Sequence, residues 1–164
     1  MADSAPILIA YDGSPSADHA IHEAGRLLAG RQALVVAVYQ QGVGFELAEL
    51  PATSIGAPPA PIDIRAALDV DQELAERSQM MAQHGAVLAR EAGLEAEALA
   101  VADDEDMPVS ETIVNVAREQ SADAIVMGAH GHSRLSEAVL GSTSRNVIRG
   151  APCPVVIARP VQAR

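Results

Sequence analysis

Short continuous apolar runs alternate with amphipathic stretches along this chain, and that alternation leaves few folds open. Residues 6–11 (PILIAY), 33–39 (ALVVAVY), 94–101, 124–127 (AIVM) and 154–158 (PVVIA) read as strands, the third weaker and more acidic than the others. Unbroken apolar runs of this length fit strands covered on both faces. Residues 17–29, 62–92, 110–119 and 142–149 carry apolar side chains at helical spacing. Ser110 is placed to cap its helix, and the segment from Asp12 to Ser16 reads as the turn into the first one. In the long helix, Met80, Met81 and the alanines are expected in the core. Strand and helix alternating in this way predict a doubly wound α/β domain, a parallel sheet with helices on both faces, over residues 1–164. No internal repeat and no second domain is visible. Residues 40–61, rich in proline and glycine, form a connection too long for an ordinary loop, and are expected to act as a lid or partner surface.

Composition narrows the chemistry. Hydrophobic residues are 49% of the 164 and charged residues 20%, a globular balance. All eleven basic residues are arginine, against 22 acids, for a net charge of -11. With no lysine, a Walker A phosphate loop and Schiff-base chemistry are excluded. The acidity argues against nucleic acid as a partner, and aromatic residues at 2% give no base-stacking platform. No apolar run spans a bilayer and the first residues lack signal-peptide character, so a cytoplasmic protein is expected. One cysteine, Cys153, precludes an intrachain disulfide and suits a reducing compartment.

The chemistry concentrates where the fourth strand ends. Met127-Gly128-Ala129-His130-Gly131 is followed, after nine intervening residues, by Gly141-Ser142-Thr143-Ser144. Gly128 and Gly131 leave room for a ligand to approach backbone N–H groups. Gly141 and Ser142 open a helix whose first amides are unpaired, which suits an anion. The hydroxyls of Ser142, Thr143 and Ser144 add donors, giving phosphate binding without lysine. Within the spacer, Arg134 is in reach of a phosphate or is a plain surface arginine.

These residues carry a resemblance. G-x2-G-x9-G-[ST] is the nucleotide-binding signature of the universal stress protein family, matched by Gly128, Gly131, Gly141 and Ser142 at full spacing. The likeness extends over the chain, through Asp12-Gly13-Ser14, Val35–Val38 and the close from Pro152 to Ile157, and points to the ATP-binding subgroup. It implies a Rossmann-like five-stranded parallel sheet of order 3-2-1-4-5. It also implies an adenine nucleotide, ATP with or without Mg²⁺, held near Tyr11, Asp12, Val38 and Met127. Asp12 would meet the adenine or ribose, the Val38 main chain the adenine edge, and Gly128 and Gly131 the ribose and phosphates. Gly141, Ser142, Thr143 and Ser144 would hold the phosphates. The fifth strand, from Pro154 to Ala158, would pair with its copy in a homodimer. The function implied is a nucleotide-dependent regulator of a stress response. The alternative is a dimeric interaction module of the same fold that binds no nucleotide. An adenylate-forming ligase is disfavoured, because its Ser-Gly-Gly-x-Asp-Ser and His-x-Gly-His motifs are absent.

The chain departs from the family in the acidic run from Asp103 to Asp106, which repels a triphosphate, recruits Mg²⁺ to it or is a solvated loop. His130 and His132 flank Gly131 with no companion zinc ligands, so a metal site is not expected. His19 and His22 read as surface residues, and Cys153 as a small buried apolar group. No nucleophile–base pair is evident: catalytic residues are not assigned, and turnover beyond slow hydrolysis or autophosphorylation is not expected. Charge is uneven. Residues 1–133 hold six arginines against 21 acids, residues 134–164 five arginines against Glu137 alone.

Overall fold

In the computed structural model, residues 5–44, 64–103, 107–131 and 140–159 are described. The chain runs β1 (Ile7–Ala10), α1 (Pro15–Leu28), β2 (Gln32–Gln40), α2 (Ile64–Glu91), β3 (Glu95–Asp103), α3 (Val109–Glu119), β4 (Ala124–Gly128), α4 (Ser142–Gly150) and β5 (Val155–Ala158). All five strands pair in parallel in the order β3-β2-β1-β4-β5. The doubly wound sheet expected from the alternation is therefore the fold observed.

Period-two alternation divides β1 between two cores. Ile7, Ile9 and Tyr11 join Ala20, Ile21 and Ala86 under α1 and α2. Leu8 joins Val36, Ile125, Ile113 and Val147 under α3 and α4. Helix α1 starts at Pro15 and not at residue 17, because Ser14 caps it: Ser14 Oγ accepts the Ala17 N–H at 3.2 Å.

Two expectations are corrected here. Met80 and Met81 are exposed, not in the core. Helix α2 turns its small residues to the sheet instead, burying Ser78, Ala82, Gly85, Ala86 and Ala89. The approach is close: a methyl group on Gly85 would lie 2.8 Å from Tyr11 Cδ1 and 2.9 Å from Val35 Cγ1. Ser110 is not the cap of α3. The helix begins one residue earlier, Pro108 holds the cap position without a side-chain bond, and Ser110 is buried. Cys153 is half-buried at the edge of the second core. Partial burial, with Asp123 adding to it, pushes its thiol above the usual range and away from reactivity.

The connection expected over 40–61 lies mostly outside the described residues, as do Asp104, Glu105 and Asp106. Its first residues are held to α2, where Asp71 accepts the N–H groups of Gly42 at 3.2 Å and Gly44 at 3.0 Å. Among the described residues no helix is long and apolar enough to cross a membrane.

Candidate functional site

Strand order alone places a crevice at the carboxyl ends of β1 and β4, where successive connections leave for opposite faces of the sheet. A cleft of about 590 Å³, its open mouth included, lies there. Ala10, Val36, Val38 and Met127 line it from the sheet, and Val109 and Ile113 from one face of α3. Asp12, Gly128, His130, Gly131, Thr143 and Ser144 supply its more polar part.

The apolar end offers a main-chain edge. The β1–β2 ladder stops at Ala10 opposite Val36, with Tyr11 N–H donating to Val36 O at 2.9 Å. Alternation points the Val38 N–H and C=O to the same side as those of Val36. By then β1 has turned away at Asp12, so this donor–acceptor pair faces the cleft instead of a neighbouring strand.

At the other end stands the first turn of α4. Gly141 occupies the cap position, and among the described residues no side chain caps the helix, which leaves the positive end of its dipole unmasked. The Gly141 N–H itself donates to Ala129 O at 2.9 Å. By contrast, α1 is closed by Ser14. Helix α3 also starts without a side-chain cap, but against the apolar lining at Val109 and with Glu111 in its first turn; at the polar part of the cleft the dipole is that of α4.

Asp12 sits between the two ends. Its Oδ1 accepts the Ser14 N–H at 3.0 Å, an Asx turn that fixes the carboxylate. Its Oδ2 points to Gly131, where a methyl group would lie 2.6 Å away. Tyr11 reaches the cleft, but its phenol donates to Asp18 Oδ1 at 2.7 Å and packs under α2. Burial first, then the bond and charge of Asp18 and the charge of Asp12, push that phenol far above its ordinary value.

Tyr11, Asp12, Val38, Met127, Gly128, Gly131, Thr143 and Ser144 thus come together in one cleft. Gly141 and Ser142 adjoin it without lining it: Gly141 is buried and Ser142 is exposed at the start of α4. Ser144 lines the cleft, yet its hydroxyl donates to Gly128 O at 3.1 Å and Ala129 O at 3.3 Å. That hydroxyl braces the loop after β4 and is not aimed at a ligand. Arg134 and His132 lie outside the described residues. Ala10, Val36, Val109, Ile113 and His130 were not assigned from sequence. The i, i+4 spacing of Val109 and Ile113 was visible, though the face it would present was not.

The glycines differ in what they do. A methyl group on Gly128 would come within 2.8 Å of the Ser16 carbonyl carbon and oxygen, so this residue lets β4 and α1 touch. At Gly141 the nearest atom, Ala129 O, would be 3.4 Å away, an ordinary contact.

The model of the universal stress protein family matches residues 4–159. The universal stress protein YxiE of Bacillus subtilis is 31% identical over 156 residues, covering 93% of this chain and 97% of that protein. The solved structure of MJ0577, a Methanocaldococcus jannaschii protein, superposes with a TM-score of 0.71 at 21% identity, over 96% of this chain and 97% of that one. An Archaeoglobus fulgidus universal stress protein solved in complex with dAMP superposes with a TM-score of 0.61 at 24% identity, over 95% and 98% of the chains. Several curated relatives are longer: this chain spans 45% of the Mycobacterium tuberculosis protein Rv2005c, at 27% identity over 162 residues. On the family match and the relationship to YxiE, the chain belongs to the universal stress protein family.

Proposed function

We propose that this chain binds an adenine nucleotide, ATP, between the main-chain edge of Val38 and the first turn of α4, and acts as a nucleotide-dependent regulator in stress. One observation carries the reading. A single cleft has an apolar end with an unladdered donor–acceptor edge and an opposite end formed by an uncapped helix dipole. The first suits a flat heterocycle with a hydrogen-bonding rim, the second a phosphate. The dAMP bound by the A. fulgidus protein of the same fold supports the choice of adenine. The unsubstituted amides of Ser142 and Thr143 supply donors in place of lysine, Asp12 meets the ribose, and Mg²⁺ would accompany the phosphates.

Calorimetric titration of the purified chain with ATP, ADP and AMP, with and without Mg²⁺, is expected to give saturable binding at millimolar nucleotide or below. Absence of saturation under every condition would leave the interaction-module reading in its place.

The chain is also proposed to act as a dimer through β5. That strand pairs only with β4 among the described strands, and Val155, Val156 and Ile157 remain half-buried along its edge. An apolar edge with open ladder groups pairs or aggregates, and a two-fold copy satisfies it. Sedimentation is expected to give twice the chain mass, and Val156→Asp to shift the population to monomer. A monomer at all concentrations would reject the interface.

A further inference from the structure

His130 is the one polar side chain of the cleft given no part above. It lies two residues beyond Gly128 and lines the cleft with Gly131 and Thr143. Its surroundings are firmly held. The preceding Ala129 donates its N–H to Ala158 O at 3.1 Å, and Ala129 O accepts from Gly141 N and Ser144 Oγ. A methyl group on Gly141 would lie 3.8 Å from His130 Cα, so this residue abuts the first turn of α4. Its ring Nδ1 is enclosed by the protein and has no hydrogen-bond partner. Nε2 is not among the buried unpartnered atoms, and the residue lines the cleft.

The two nitrogens are therefore unequal. A proton on Nδ1 would be a buried donor with no acceptor, an arrangement that folded proteins avoid more strictly than a bare lone pair. In the neutral ring the proton then belongs on Nε2, and the main chain that carries the ring is held by the bonds around Ala129. A donor so placed, beside an uncapped helix N-terminus, is matched to an anionic oxygen.

We infer that His130, as the Nε2–H tautomer, donates to a phosphoryl oxygen of the bound nucleotide and so favours phosphorylated ligands over the nucleoside. This rests on the nucleotide reading. In a chain without lysine it gives the site a side-chain donor on the β4 side, facing the amides of α4.

The test is calorimetry on the full chain with ATP, AMP and adenosine, for the unsubstituted protein and for His130→Gln, His130→Asn and His130→Ala. A glutamine amide nitrogen reaches the place of Nε2, whereas asparagine reaches only that of Nδ1. Loss of a donor to a charged oxygen is expected to weaken ATP and AMP roughly tenfold in the Ala and Asn variants. His130→Gln is expected to stay within about threefold, and adenosine to bind all four proteins alike. An equal fall for adenosine would overturn the phosphate contact, as would unchanged ATP binding in His130→Ala or rescue by Asn in place of Gln. Failure of the unsubstituted chain to bind any of the three would reject the nucleotide reading itself. Circular dichroism of each variant separates a lost contact from a lost fold.

Discussion

Gly131→Val is expected to weaken ATP between about tenfold and 100-fold while the ligand-free protein melts within about 2 °C of the unsubstituted chain. The two halves of that result have different causes. Gly131 is exposed, and among the described residues a methyl group there meets only Asp12, so the stability change should stay near that of an ordinary surface substitution, about 0.5 kcal/mol. The cleft is another matter. The first carbon added at Gly131 falls 2.6 Å from Asp12 Oδ2. Asp12 cannot simply swing aside, because its other oxygen holds the Ser14 N–H at the entry to α1. Either the carboxylate leaves its place or the loop after β4 moves outward, and both spoil the site. Without ligand the exposed loop relaxes outward at little cost; bringing the loop and carboxylate back to the binding arrangement against the added side chain is overpacking, at about 1–3 kcal/mol, roughly fivefold to 150-fold in affinity at about 1.4 kcal/mol per factor of ten, and the expected loss lies within that span. Isothermal titration and a thermal melt on the same sample check both halves. Full ATP affinity in the variant would remove Gly131 and Asp12 from the site together.

The spacing of Gly128, Gly131 and Gly141 located the phosphate end, and the alternation of apolar runs located every strand to within two residues. Both signals are local, periodic or motif-bound, and survive without coordinates. The direction of a side chain does not. Met80 and Met81 looked like core residues, because a stripe of alanine and methionine leaves open which of the two meets the sheet. The sheet chose alanine and glycine, since Tyr11 and Val35 already fill the space beneath Gly85. Ser110 resembled a cap by residue type, but Pro108 already supplied the extended entry and the helix began at Val109. The inequality of the two His130 nitrogens depends on what encloses the ring. The edge at Val38 depends on β1 stopping at Ala10, a matter of register between strands more than twenty residues apart. Such facts are three-dimensional from the start.

Gly128→Val is expected to destabilise the ligand-free fold by about 3 kcal/mol, lowering its melting temperature by roughly 6–12 °C. The residue belongs to the same motif as Gly131, yet its constraint is internal. An added methyl would meet the carbonyl carbon and oxygen of Ser16 at 2.8 Å, and its Oγ closer still. Those are mainly backbone atoms of the first turn of α1, which Ser14, Pro15 and the buried Ala17 hold in position. Strand β4 has no freedom either, being paired to β1 on one side and β5 on the other. Neither partner can yield, so the cost sits at the upper end of what overpacking produces. Urea unfolding without nucleotide isolates it: the midpoint should fall with the slope unchanged, because the surface exposed on unfolding is the same. ATP must be excluded from that measurement, since a ligand at 100 times its dissociation constant adds about 2.7 kcal/mol to any form that binds it. Were Gly128 a glycine only to admit a phosphate, the variant would unfold with the parent midpoint and merely bind less. A fallen midpoint would instead mean that one signature serves two ends, Gly131 keeping the cleft clear of Asp12 and Gly128 closing β4 against α1.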